Sequence, residues 1–295
     1  MFGEQTPREV MKMKQVKIAG IPMNSGGFYT GTETTPQVLR EAGLIDALKK
    51  QGVSVQDMGD ISIPSYIPRH NVPPIRNWPG PRVVWEEIYE QSKDWFDENE
   101  TLLLFGGDCS IVTGTTHSLY RRYAADIHLI VIDAHIDAYR PSAHRCMGAA
   151  GMGLWFLLEE NDFLASLKGF SGDNVTIVGY QHESAINTNV KKHPLSELRE
   201  NGISQVIQKV LQEIPQNRKI MVHLDLDVIA KTEMHAVYSP SEAGLSMTET
   251  TSLLRQILAD SRTAGVEITE FFPPYDHDGS QSKGLINMLV DVFRD

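Results

Sequence analysis

Cysteine is scarce in this chain: 295 residues hold two, Cys109 and Cys146. Two thiols make no disulfide framework, which excludes a small stapled scaffold. A cytoplasmic compartment would disfavour even one structural disulfide. Each cysteine is read first as a small buried hydrophobe. Basic residues are also in the minority, 27 against 38 acidic, and the formal net charge is -11. That balance argues against nucleic acid or an anionic membrane as the main partner. No apolar run reaches the roughly 18 residues of a membrane-spanning helix. The first residues, MFGEQTPREV, lack the apolar stretch of a secretion signal. A cytoplasmic protein is expected. There is no internal repeat and no low-complexity block.

What is present is an ordinary globular composition, 41% hydrophobic and 22% charged, enough to bury a sizeable core. Residues 1–14 read as a tail and 15–295 as one domain. Within that domain strands and helices alternate. Strands are expected at 15–21, 54–60, 101–105, 127–133, 174–180, 219–227 and 264–272. Helices are expected at 36–52, 81–98, 110–124, 148–160, 203–214, 248–261 and 282–293. Residues 61–81, rich in Pro, Asn and Arg, read as a long surface loop that shapes a pocket or an interface. Several strands are apolar on both faces, as in a parallel sheet covered by helices on both sides.

In such sheets ligands bind beyond the carboxyl ends of the strands. Four of those ends carry acids. FGGDCS (105–110) follows one, Asp133-Ala134-His135-Ile136-Asp137 a second, Asp225-Leu226-Asp227 a third, and Glu270 a fourth. In extended backbone, side chains two residues apart share a face, which would gather Asp133, His135 and Asp137 on one side and pair Asp225 with Asp227. Carboxylates converging in a partly desolvated cleft repel one another, so a divalent cation, or two, is the economical counter-charge. The competing reading is that DAHID is a turn capped by aspartates and DLD is solvated.

These residues carry a family resemblance. Gly106-Gly107-Asp108-Cys109-Ser110 is similar to the GGDHS motif of ureohydrolases, the arginase and agmatinase family of binuclear manganese enzymes. Asp133 to Asp137 matches its DAHxD. Asp225-Leu226-Asp227 matches the centre of its SxDxDxxDP. Val266 to Glu270, with Pro273, resembles its DIVEVNP. Residues 31–60 look like the arginase branch's GxExGPxxLRxAGL stretch, and PPYDHDG (273–279) occurs in agmatinase-like members. The resemblance runs from residue 15 almost to the end.

It implies a single-domain three-layer α/β/α fold with a mostly parallel sheet. It also implies two divalent metal ions, Mn2+ in the first instance. Asp133 and Asp225 would bridge them, Cys109 and Asp137 complete one site, and His135 and Asp227 complete the other. A water activated between the metals would attack a guanidinium carbon held by Glu270, with His144 or Asp137 passing a proton to the leaving amine. The implied partner is a small guanidino substrate or an arginine-containing peptide. The implied assembly is a homo-oligomer, a trimer or hexamer.

The departures matter as much. Cys109 stands where the family has a ligating histidine, as in Nω-hydroxyarginine amidinohydrolases. A thiolate would shift preference towards Zn2+, Fe2+, Co2+ or Ni2+. His223 replaces the Ser of SxDxDxxDP; it reads as a satisfied strand histidine, an added ligand or a donor behind the ligands. Ala230-Lys231 replaces the DP. The loop YRPSAH (139–144) lacks the SGN stretch that holds the amino-acid end of arginine, which leaves Arg140 and Ser142 as the candidate partners of a substrate tail; a plain exposed arginine is the alternative for Arg140. A modified or extended arginine is therefore expected, with another guanidine, agmatinase-like, as the runner-up. A pseudoenzyme that lost full metal binding is the reading from another class. A covalent role for Cys109 is weaker, because Asp133 and Asp225 would raise its pKa.

Overall fold

The alternation closes into one sheet of eight parallel strands: β1 (Gln15–Gly20), β2 (Val55–Asp60), β3 (Glu100–Phe105), β4 (Ile127–Ile132), β5 (Val175–Val178), β6 (Lys191–His193), β7 (Lys219–Asp225) and β8 (Thr263–Thr269). Their order across the sheet is β2-β1-β3-β8-β7-β4-β5-β6. The structure, a computed structural model, describes residues 15–182 and 189–294. The tail expected at 1–14 lies outside the described residues.

Helices cover both faces, and the strands' alternation decides which side chain meets which layer. Val16, Ile18, Leu103, Phe105, Ile130, Ile132, Val222, Leu224, Val266 and Ile268 point into one apolar layer. That layer is completed by α1 (Thr35–Glu41), α2 (Leu44–Lys50), α6 (Leu195–Asn201), α7 (Ile203–Glu213), α8 (Met247–Leu258) and α9 (Ser280–Phe293). Ala19, Leu102, Leu104, Leu129, Val131, Ile177 and Met221 point the other way. There they meet α3 (Gly80–Gln91), α4 (Ile111–Tyr123) and α5 (Gly153–Leu158). Every residue of β4 is buried, as a central strand covered on both faces requires.

Three differences from the sequence reading have local causes. The helix expected over 36–52 is two helices, because Gly43 takes a left-handed φ of 92° that stops the first and starts the second. Edge strand β6 and helix α6 were not anticipated: Lys191-Lys192-His193 carries no apolar pattern, and a three-residue edge strand needs none. The segment 61–79 is the surface loop expected, and it is docked at its end. Ile75 is fully buried, Arg76 N–H donates to Met147 O at 2.7 Å, and Asn77 Nδ2 donates to Ser25 O at 3.1 Å. Cys146 is half-buried in a loop, so it is not the core residue expected.

Two stability predictions follow from this packing. A Cβ built on Gly107 would lie 1.5 Å from the Met23 carbonyl oxygen, so the turn after β3 has no room for a side chain. Gly107→Ala should lower the unfolding free energy by about 1–3 kcal/mol or more, read from urea unfolding. His128 on β4 is 2% exposed and its Nε2 pairs with Thr176 Oγ1 at 2.9 Å. Burial, with Arg218 and Lys191 adding to it, lowers its pKa from 6.5 to about 3. A folded pKa below the unfolded one means stability present above pH 6.5 and lost as pH falls towards 3. Between pH 7 and pH 5 this amounts to about 2 kcal/mol, and His128→Gln should flatten that part of the pH–stability curve.

Candidate metal centre

The four strands that end in acids are neighbours: β3, β8, β7 and β4 stand side by side at the middle of the sheet. All run the same way, so their ends meet at one edge. The turn after β3 packs under Met23, with Gly107 giving the close approach. Asp108 is buried, and its carboxylate accepts Gly26 N–H at 2.9 Å and Ser110 N–H at 3.1 Å. Asp108 therefore fixes the turn, and the turn presents Cys109 just before α4 begins.

The convergence of the aspartates is not the strand alternation expected. β4 ends at Ile132, and Asp137 has a left-handed φ of 48°. Asp133 Oδ1 accepts His135 N–H at 2.6 Å, which folds the turn back on itself. β7 ends at Asp225, whose Oδ1 accepts Asp227 N–H at 2.8 Å and caps a single 3₁₀ turn, Leu226–Val228. Each carboxylate caps the turn that follows its strand, because the first N–H groups beyond a strand end have no ladder partner. Glu270, after β8, has a φ of 64° and accepts Cys109 N–H on Oε1 at 2.7 Å. Left-handed backbone at two non-glycine residues costs about 1–3 kcal/mol each and clusters at functional sites.

Two donor groups result. Ligand atoms of Cys109, Asp133, Asp137 and Asp225 all lie within 4.8 Å of one another, and so do those of Asp133, His135 and Asp227. Asp133 is common to both; Asp225 falls in the first. A third group joins His223 to Cys109 and Asp133. Cys109 Sγ lies 2.9 Å from Asp225 Oδ2 and 3.1 Å from Thr269 Oγ1, and His135 Nδ1 lies 2.9 Å from Asp227 Oδ2.

The electrostatics are those of a cluster short of positive charge. Burial, with Asp227 and Asp133 beside it, pushes Asp225 well above the usual carboxylate range. Burial and Asp133 do the same to Asp137, and burial and Asp108 to Glu270. The Cys109 thiol is pushed well above its ordinary value by burial, then by Asp225 and Glu270. His135 moves with the same field: Asp133 and Asp227 push its pKa up to about 12. Asp133 Oδ2 and Glu270 Oε2 are buried with no hydrogen-bond partner among the described residues. Orphaned carboxylate oxygens facing a thiol, an imidazole and further carboxylates fit divalent cations.

Other expected residues lie apart from this nest. His144 is exposed in the loop, its backbone N–H donating to Ser142 Oγ at 3.2 Å. Arg140 is exposed and paired with Glu159 at 2.7 Å, the plain arginine of the two readings. Lys231 is a surface partner of Glu242. Sequence reading passed over His182, whose ring stacks on His135 at 5.5 Å between centroids. It follows β5, so the strand-end rule applied to every strand would have found it. Glu267, a 2.7 Å partner of His223, was also missed, because it sits inside an apolar strand.

Crowding gives a signed prediction. Raised carboxylate pKa values mean that the ion-free chain loses stability as pH rises towards neutrality. Each unit is worth about 1.4 kcal/mol. Asp225→Asn should therefore melt above the wild type in chelator near pH 7.5, and the order should reverse when Mn(II) is added, as scanning calorimetry would show.

Comparison with known proteins identifies the family and the fold. The family model described as "Arginase family" matches residues 14–293. Human Arginase-1 is 26% identical over 300 residues, covering 95% of this chain and 92% of its own. Among solved structures, arginase from Bacillus subtilis superposes with a TM-score of 0.81 at 24% identity, covering 96% of this chain and 99% of its own. Formimidoylglutamase from the same organism superposes with a TM-score of 0.75 at 20% identity, covering 98% and 89%. With nearly its whole length matched, this chain belongs to the arginase family.

Proposed function

We propose that the chain is a binuclear metal-dependent hydrolase of a guanidino C–N bond, acting on arginine or an arginine derivative. Hydroxyarginine and peptidyl arginine are the candidate forms, and the products would be an ornithine-type amine and urea or a substituted urea. One observation carries the reading: two donor groups share Asp133 while the neighbouring Glu270 keeps a buried oxygen without a partner among the described residues. The first would hold one ion with Cys109, Asp133, Asp137 and Asp225. The second would hold another with Asp133, His135 and Asp227. Mn2+ suits the carboxylates, and the sulfur shifts preference towards Zn2+, Fe2+, Co2+ or Ni2+. When bound, such a pair supplies Lewis acidity and a water ionised near neutral pH.

The chain's own residues do the rest. Glu270 Oε1 is held by Cys109 N–H, so Oε2 is the oxygen left to accept a guanidinium N–H. Asp137, half-buried, has the raised proton affinity that would let it carry a proton to the leaving amine. His144, exposed in the adjacent loop, would pass that proton to solvent. Ser142 and Arg140 flank the tail side of the substrate in this reading, Arg140 after release from Glu159. A homo-oligomer, trimer or hexamer, in the cytoplasm completes it. Relatives named arginase and formimidoylglutamase share this fold, so the tail beyond the reacting group is left to be assayed.

The Cys109 substitution favours one rival, a non-catalytic relative that binds metal poorly. Metal analysis after equilibration with Mn(II), Zn(II), Co(II) and Ni(II) separates the two. About two ions per chain is expected; well under one for every metal would leave only the rival. With the loaded enzyme, urea release from arginine, hydroxyarginine, agmatine and arginyl peptides should identify the substrate. Glu270→Gln should then lower kcat/KM about 10²–10³-fold, and Asp225→Asn should abolish turnover; unchanged activity in Asp225→Asn would sink the catalytic reading.

A further inference from the structure

Beneath the carboxylates lies a second imidazole that the function above does not use. His223 stands two residues before Asp225 on β7 and shares its face of the strand. Directly across from it in register on β8 is Glu267. The two are 2% and 0% exposed. His223 Nδ1 and Glu267 Oε1 lie 2.7 Å apart, and Glu267 Oε2 has no partner among the described residues. A His223 ring nitrogen, Cys109 Sγ and an Asp133 carboxylate oxygen all lie within 4.8 Å of one another.

A buried carboxylate with one free oxygen is costly in a core, and Met221 and Leu104 show how apolar this layer otherwise is. Packing alone gives no reason to place it there. A carboxylate behind an imidazole that faces metal donors has a physical reason: it fixes the ring and its tautomer and raises the basicity of the other nitrogen.

We propose that His223, oriented by Glu267, is a ligand of the cation beside Cys109. Glu267 accepts the Nδ1 proton, which leaves the Nε2 lone pair for the ion. The imidazole missing from the turn after β3 is then supplied from the strand below, and Cys109 shares the ion with it. This side of the centre becomes a sulfur, nitrogen and oxygen set, suited to Zn(II) or Co(II) over Mn(II). The inference rests on the binuclear reading above and adds a residue and a metal preference to it.

Co(II) is the probe, because its thiolate charge-transfer absorption reports on the Cys109 side independently of turnover. The wild-type chain should take up about two ions, with that band present. His223→Ser should weaken the Cys109-side ion by at least about 100-fold and reduce or shift the band. Glu267→Gln should weaken it about 10–100-fold while the ring remains. His135→Ala should lose the other ion and keep the band, and X-ray absorption at the cobalt edge should then find both sulfur and imidazole around the remaining ion. This last measurement leaves His223 intact, so it decides the matter even where His223→Ser does not fold. Sulfur without imidazole in His135→Ala, or wild-type affinity and spectrum in His223→Ser, would overturn the proposal. Either result, alongside a wild-type chain that binds two ions and hydrolyses a guanidine, would remove His223 and leave the hydrolase; a wild-type chain that takes up no cobalt would remove both.

Discussion

Everything at this centre depends on the mutual repulsion of acids held where they cannot separate. Asp133, Asp137, Asp225, Asp227 and Glu270 meet at the ends of strands that are adjacent in one sheet. Ile132, Leu224 and Thr269, which directly precede Asp133, Asp225 and Glu270, are buried, as is Phe105 at the end of β3, so the strands cannot splay to relieve the field. The two apolar layers thus do more than stabilise the fold. They offset the electrostatic cost of a nest that is tolerable only when something positive occupies it. The raised proton affinities of Asp137, Asp225 and Glu270 and the imidazolium at His135 are the protein's response when only protons are available.

That logic explains what could be read from the chain before folding. A parallel sheet is legible because burial on both faces leaves near-continuous apolar runs, and TLLLF and IHLIVI are such runs. Its acidic edge is legible because strand ends are where side chains become free to bind. What was not legible is set by tertiary contact. The alternation argument brought Asp133, His135 and Asp137 to one place for the wrong reason. A capped turn with a left-handed Asp137 gathers them, and no spacing rule encodes that φ. β6 escaped notice because a three-residue edge strand of two lysines and a histidine has no apolar signature. The fate of Arg140 turned on Glu159, nineteen residues on, which loop composition does not reveal.

His223 and Glu267 escaped for a different reason. His223 lies two residues before Asp225 and Glu267 three before Glu270, inside runs whose other members are core residues. Polar residues in such positions read as tolerated exceptions. Only the register that sets β7 beside β8, and the 2.7 Å contact that follows, turns two exceptions into one device. A partly satisfied buried pair is costly, and here Glu267 has an oxygen without a partner among the described residues while His223 lies beside Cys109 and Asp133.

On the proposed reading, Cys109 as a ligand would also couple metal binding to protons. In the ion-free field the thiol is held protonated by burial and by Asp225 and Glu270. A thiolate therefore forms only as the cation arrives, since a bound ion reverses the local field. The His135 side must likewise surrender the proton that Asp133 and Asp227 hold on it. Loading both sides releases protons, so affinity rises with pH. A softer, more strongly binding ion gains most, because it alone recovers the cost of ionising a thiol among carboxylates. On the proposed reading, the same thiol that would weaken the centre for manganese would make it selective for a softer ion, with the imidazole of His223 reaching that ion from β7.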